Sequence, residues 1–224
     1  MYELTVDQIV PSTQNWLLNH EPALAYLKRR KINGKQLLLY GIGCSGPGFK
    51  IKGTDLVVYS NLFTTVLMDE YGVKKGILTR KLSEDGAESV YFQVIWNEEA
   101  KHIVYGLQQC VEEVYRTGIV LLAEGCFDTL AIQPIITTSC GILTSTLSSV
   151  QVSILKRYAK RILFVPDSDK TGDRESEKFK NRHSRDFQVS IIKLPDGIKD
   201  PSKWRQEDPV SFLEFWEEVR DTYF

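Results

Sequence analysis

The chain has 224 residues, 42% of them hydrophobic, which is enough to bury the core of one large domain or two small ones. Its formal charge is −1, from 28 basic and 29 acidic residues, so any contact with a polyanion has to come from a local cluster of cations and not from overall charge. The four cysteines, Cys44, Cys110, Cys126 and Cys140, have no C-x-x-C spacing, which argues against a disulfide framework and against a structural zinc site within this chain. No apolar run reaches membrane-spanning length and no basic-then-apolar leader opens the chain, so the expectation is a soluble intracellular protein with no membrane contact.

In chain order, residues 6–32 are predicted helical in two pieces broken near Asn19, with Pro22 early in the second. The second piece ends in Lys28, Arg29, Arg30 and Lys31, where basic side chains suit the helix dipole as well as they would suit a nucleic acid. Residues 36–40 read as a strand. The glycine-rich run 41–48 lacks the Lys-Ser/Thr ending of a P-loop and, with Pro47, opens no helix, so it reads as a plain loop. Short strands at 56–59, 66–68, 76–80 and 90–95, with turns at Glu70-Tyr71-Gly72 and Asp85-Gly86, form a small antiparallel sheet by pattern. Arg80, at a strand end, is either a ligand for nucleotide phosphate or a solvated edge residue.

The pattern changes beyond Tyr105. Helical spacing over 105–117 delivers the chain to an apolar run, 118–123, that ends abruptly in Glu124-Gly125, and a second run, 162–165, ends in Pro166 and Asp167-Ser168-Asp169. Apolar runs of this length separated by helix-like segments read as central strands of a parallel sheet covered on both faces. Ligands of such sheets sit at the carboxyl ends of the strands. Glu124, Asp167 and Asp169 would converge there, and three carboxylates so placed repel one another unless a divalent cation, magnesium or manganese, shares them. Either motif alone is ordinary turn or N-cap chemistry; the two together, on strands in this order, favour the metal site.

Around these strands the sequence predicts a short helix at 127–132 carrying Asp128, a strand at 135–137, and a helix over 150–161 opened by a capping box of Ser148 and Gln151. A charged helix over 171–185 and a last buried strand at 189–194 follow, running into a segment that contains Asp196 and Asp200. The amphipathic helix 210–223 carries Phe212, Phe215, Trp216 and Val219 at helical spacing, a stripe for packing and not for stacking bases.

Glu124-Gly125-Cys126-Phe127-Asp128, Asp167-Ser168-Asp169-Lys170-Thr171-Gly172 and Leu194-Pro195-Asp196-Gly197-Ile198-Lys199-Asp200-Pro201 resemble, in order and context, the toprim fold of DnaG-type DNA primases of bacteria and phages. Upstream, Ala23 to Ile32 is similar to that family's "YLxxRGI" helix, Leu56-Val57-Val58-Tyr59 to its "IVFPI" strand, Thr79-Arg80 to its basic strand end and Tyr105-Gly106-Leu107 to its "LYGL". The likeness covers about residues 20–205, and the upstream segments favour primase over the topoisomerases and nucleases that share the toprim acids. It implies an α/β protein in which a small α+β N-terminal subdomain, 1–112, precedes a toprim catalytic domain, 113–197, with a Rossmann-like parallel sheet, and a short helical segment, 198–224.

The activity so implied is synthesis of short RNA primers on single-stranded DNA for replication. Glu124, Asp167 and Asp169 would be the catalytic acids and inner ligands of two Mg²⁺ or Mn²⁺ ions, with Asp128 and Asp200 nearby behind those ligands or on the second metal, and Arg80 and Lys101 would hold the ribonucleoside triphosphate. The family's Asp-Pro-Asp is Asp200-Pro201-Ser202 here, so one outer acid is missing. The resemblance further implies a separate zinc-ribbon protein and a replicative helicase as partners, and the cytoplasm of a bacterium or phage-infected cell as location. A toprim nuclease would use the same acids with water as nucleophile, a topoisomerase would need a tyrosine on a further large domain, and a single-strand-binding accessory protein would need no metal.

Overall fold

A computed structural model of the chain describes residues 2–82, 91–166 and 172–224, the last two segments beginning with residues 91–94 and 172–175 in backbone only. The expected turn at Asp85-Gly86 and the acids Asp167 and Asp169 lie outside the described residues. By internal contacts the chain divides into two units, Met1–Lys101 and His102–Phe224.

The first unit opens with β1 (Tyr2–Leu4), α1 (Val6–Leu18) and α2 (Glu21–Arg29). The helices part at Asn19 as expected, because His20 Nδ1 accepts the Ala23 amide (3.2 Å) and Pro22 sits in the first turn, where its missing N–H costs nothing. The expected strand over 36–40 is instead a helix, α3 (Gly34–Leu39). Asn33 Oδ1 accepts the Gln36 amide (2.9 Å) and Gln36 Oε1 accepts the Asn33 amide (3.3 Å), a reciprocal cap that starts a helix whatever the apolar run that follows.

Beyond the loop at residues 41–48, which includes β2 (Gly43–Cys44), come β3 (Phe49–Ile51), β4 (Val57–Val58), β5 (Leu62–Met68), β6 (Lys74–Lys81) and β7 (Tyr91–Ile95). The glycine-rich loop serves packing. Gly46, at φ +55°, lies beneath the Trp16 indole, whose ring atoms would stand 2.5–2.9 Å from any Cβ placed there. The expected antiparallel sheet exists as β2-β5-β6-β7, but β4 has left it for a second sheet, β1-β3-β4, in which β1 and β3 run parallel. In the β5–β6 hairpin, Asp69 Oδ1 accepts the amides of Tyr71 (3.0 Å) and Val73 (2.9 Å), which sets the turn that the sequence marks. Leu4, Ile9, Phe49, Val58, Val66 and Ile77 pack both sheets and α1 into one core.

The second unit contains α4 (Leu107–Thr117), β8 (Ile119–Ala123), α5 (Cys126–Ile132), β9 (Ser139–Gly141), α6 (Ser149–Leu155), β10 (Arg161–Val165), α7 (Gly172–His183), β11 (Gln188–Ile191), α8 (Pro201–Glu207) and α9 (Pro209–Tyr223). Its sheet is parallel throughout, in the order β11-β10-β8-β9. Alternate residues of the central strands feed two cores: Val120, Leu122, Ile162 and Phe164 pack with residues of α4, α6 and α7, while Leu121, Leu163 and Val165 pack with α5, α8 and α9. Coverage on both faces is why these strands are apolar without alternation. Among the described residues no helix is long and apolar enough to cross a membrane.

Three expectations are corrected here. The strand expected at 135–137 lies a few residues later, as β9, where small side chains allow close approach to β8 and α5. The capping box starts α6 as expected, Ser148 Oγ accepting the Gln151 amide (3.2 Å), but the helix stops at Leu155 and not at 161. An additional helix, α8, follows Asp200. The stripe of α9 is core as expected: Phe212 and Trp216 are buried against Trp204 of α8 and Leu163 of β10.

Candidate active site

The carboxyl ends of β8 and β10 are level, with Ala123 in register with Val165. Glu124 is the next residue on β8 and is half-buried. Its backbone carbonyl accepts the Leu143 amide (3.0 Å), as the Ala123 carbonyl accepts that of Ile142 (3.0 Å), so the chain leaving β9 is tied to the strand end that presents the glutamate. On β10 the chain passes through Val165 and Pro166 toward Asp167 and Asp169, which are outside the described residues.

Behind Glu124, Gly125 caps α5 from an extended backbone and its carbonyl accepts both the amide (3.2 Å) and the hydroxyl (3.0 Å) of Thr129. Asp128, in the first turn, folds back over Gly125, and a Cβ on that glycine would collide with Asp128 Oδ2. The other oxygen, Oδ1, accepts the amide of Ser202 (3.0 Å), while Asp200 Oδ1 accepts the amide of Lys203 (2.7 Å). Two of the expected acids therefore meet at one place, the N-terminus of α8, where unpaired amides and the helix dipole favour negative charge.

The partnership is reciprocal. Arg205 of α8 reaches back to the carboxyl end of α5, its Nη1 donating to the carbonyls of Ala131 (3.2 Å) and Leu130 (3.4 Å). Burial holds its pKa below the usual guanidinium value. One helix thus closes the orphan amides of the other through Asp128 and has its own orphan carbonyls closed through Arg205. Arg205 is not among the residues the sequence singles out, and within the expected helical segment 198–224 the pattern marks only the helix at 210–223 and not α8. A signal was present: Asp200-Pro201 is an N-cap followed by proline at the first helical position, and Asp208-Pro209 repeats it before α9.

Gly141 completes the local frame. It exchanges hydrogen bonds with Tyr105 (2.7 and 2.8 Å), and a Cβ there would stand 2.8 Å from Thr129 Oγ1. β9 can lie against α5 only because that position carries no side chain.

The residues expected to hold triphosphate are in the first unit. Arg80 lies in β6, half-buried, in register with Phe63 of β5 and Tyr91 of β7. Lys101 is in a 3-10 turn, Glu98–His102, and forms an ion pair with Glu98. Among the described residues no three His, Cys, Asp or Glu side chains come together as a metal cluster. Glu124, which follows β8, and Asp128 and Asp200, which meet the amides of α8, are carboxylates, hard oxygen donors of the kind that suit Mg²⁺ or Mn²⁺. The four cysteines are buried free thiols.

Residues 121–204, which carry most of this parallel sheet, match the Toprim-like family model. A DNA primase of Clostridium acetobutylicum is 29% identical over 113 residues, which are 49% of this chain and 19% of that protein. Over nearly its full length the chain has the fold of DnaG primase catalytic cores. The zinc-binding and RNA polymerase domains of Aquifex aeolicus primase superpose with a TM-score of 0.78 at 20% identity, covering 96% of this chain and 58% of that one. A DnaG primase catalytic domain bound to ssDNA superposes with a TM-score of 0.73 at 19% identity, covering 95% and 76%. The chain therefore spans a fifth of its curated relative and somewhat more than half of the Aquifex structure.

Proposed function

We propose that this chain is the polymerase core of a DNA primase, synthesising short RNA primers on single-stranded DNA by metal-dependent nucleotidyl transfer. The observation that carries the reading is Glu124, at the end of β8 and level with the end of β10, within a Toprim-like segment on the DnaG core fold. Glu124, Asp167 and Asp169 would hold two Mg²⁺ or Mn²⁺ ions, with Asp128 and Asp200 in support. When bound, such ions lower the pKa of an attacking hydroxyl and stabilise a pyrophosphate leaving group.

The chain's own part is positional. Asp128 and Asp200 each commit an oxygen to a fixed amide of α8, which limits their side-chain freedom and would suit a supporting role to Glu124. Arg80 would grip triphosphate with a planar fork, a task a flexible lysine performs less well. Lys101 would assist, since an exposed ion pair such as that with Glu98 is weak enough to exchange for phosphate. The first unit would serve template and nucleotide, and the second would serve metal and chemistry. A zinc-ribbon protein and a replicative helicase are the proposed partners, in bacterial or phage-infected cytoplasm.

The test is incorporation of labelled ribonucleotides on single-stranded DNA with Mg²⁺ or Mn²⁺, resolved on a gel beside an assay for strand cleavage. Short RNA products that disappear in Glu124→Gln are expected. Metal-dependent cleavage without incorporation would replace this reading with a nuclease, and metal-independent binding without either activity would leave a single-strand-binding protein.

A further inference from the structure

The amino end of the parallel sheet, opposite Glu124, carries a groove of about 430 Å³ between the turn that leads into β10 and the turn that leads into β11. Lys156, Lys160 and Arg185 line it, with Ser184 and Gln188 between them. In a chain of net charge −1 this is a local excess of cations. Lys156 meets Asp186 (2.6 Å), the carboxylate of the groove, whereas Lys160 and Arg185 have no ion-pair partner among the described residues. Beside them Arg161 is oriented by Gln188, whose Oε1 accepts from Nε (3.1 Å) and Nη2 (2.9 Å); a neutral amide fixes the guanidinium and leaves its charge intact.

Helix dipoles account for Lys156, the C-cap of α6, but not for the other two cations. That effect fades within the last helical turn, and Lys160 lies beyond Leu155, the end of α6, as Arg185 lies beyond His183, the end of α7. Nor is the groove suited to a peptide, which needs an apolar anchor at the centre of its contact: Ala159 and Phe187 line it but are buried, at 4% exposure each. Without an exposed aromatic ring it cannot stack bases either. What remains is a set of cations around a polar concavity, the requirement for gripping a phosphate chain without reading its sequence.

We propose that this groove binds the sugar-phosphate backbone of single-stranded nucleic acid, at a place on the second unit remote from the acids. The inference rests on the nucleic-acid reading above but requires no catalysis. Its test is anisotropy of a long labelled oligothymidine in EDTA, without nucleotides, over a series of salt concentrations, for wild type and for Lys160→Glu/Arg185→Glu. The variant should bind roughly tenfold more weakly at low salt, with a slope of log K against log[salt] shallower by about 1.4, since each phosphate contact to a single strand contributes about 0.7. The milder Lys160→Gln/Arg185→Gln pair should shift both quantities in the same direction, with thermal melts of both variants confirming the fold. Unchanged affinity and slope would overturn the proposal whatever the primer assay gives. Displacement of the oligonucleotide by a polyglutamate peptide that binds more tightly at equal charge would overturn it in favour of an acidic protein partner. A salt-dependent loss in the variants of a chain that makes no primers would keep this site and remove the proposed activity alone.

Discussion

At the carboxyl end of the second unit's sheet Glu124 follows β8, and the acids Asp128 and Asp200 are fastened to the amides of α8. At the amino end three cations on long stems surround one carboxylate, Asp186, and Lys160 and Arg185 stand outside any described ion pair. The difference is one of stiffness as much as sign. A carboxylate held by fixed amides stays put when a ligand arrives, which suits chemistry that needs oxygens in set positions. A surface lysine moves to meet its ligand, which suits a charged polymer whose path varies. Substitutions at the acid end should therefore cost stability, and those at the basic end should cost very little.

The largest effect is expected from Gly141→Val. Its side chain would enter space held by Thr129 Oγ1 and the Tyr105 side chain, and neither β9 nor α5 can withdraw without breaking the ties to Glu124. The expected cost is about 3 kcal/mol or more, at the upper end for overpacking, read as a lowered urea midpoint. A variant as stable as wild type would mean that the acid end is compliant. Next comes Asp128→Ala, which strips the Ser202 amide of a charged acceptor and should cost about 1.5–3 kcal/mol, with Asp128→Asn costing less because an acceptor remains. Arg205→Met keeps much of the apolar stem but deserts two carbonyls, for about 1–2 kcal/mol. Because the two residues serve the same helix pair, the double variant should fall short of the sum of the singles.

Much of this frame can be read in the sequence, and the reasons are local. β8 and β10 are legible because burial on both faces demands unbroken apolar runs, and the acid-glycine step at Glu124 is an abrupt end. The start of α6 is legible because Ser148 and Gln151 form their cap within four residues. α3 carries the same kind of signal in Asn33 and Gln36, but its run of leucines resembles a strand, and Leu38 in fact lies exposed. β9 was obscured because Ile135 and Ile136 are more apolar than Ser139-Cys140-Gly141, whereas close approach to α5 selects small residues. The pairing of Asp128 with Ser202 joins residues 74 positions apart, and no spacing rule reaches that far.

Stability should also depend on pH through the basic end. His183 closes α7, buried against the Phe179 ring at 4.6 Å. Burial first, and then Arg182, hold its pKa below the ordinary 6.5, with Asp186 pulling weakly the other way. The folded chain thus takes up this proton at lower pH than the unfolded chain. Its contribution is complete above pH 6.5 and is lost as pH falls through the unfolded value toward the folded one, because the unfolded state then binds more protons. Urea midpoints measured from about pH 8 down to about pH 5.5 should fall, and the fall should be shallower in His183→Leu. An equal slope in the variant would assign the dependence to other groups.

The smallest effect on stability separates the two ends most sharply. Asp186 is the carboxylate of the basic groove, and its pair with Lys156 is open to water, the side chains being 32% and 52% exposed. Pairs of that kind contribute about 0–1 kcal/mol, since screening and side-chain entropy consume most of the attraction. Asp186→Asn should therefore leave the urea midpoint nearly unchanged. It should also release Lys156 and remove a charge that repels phosphate, so oligonucleotide affinity should rise while the Lys160→Glu/Arg185→Glu pair lowers it. An acid-end substitution such as Asp128→Asn should do the reverse, lowering stability and leaving metal-free binding where it was. If Asp186→Asn instead destabilised the chain by more than about 2 kcal/mol, well beyond an exposed pair, the cations of this groove would be part of the scaffold, and the contrast between a fixed acid end and an adaptable basic end would fail.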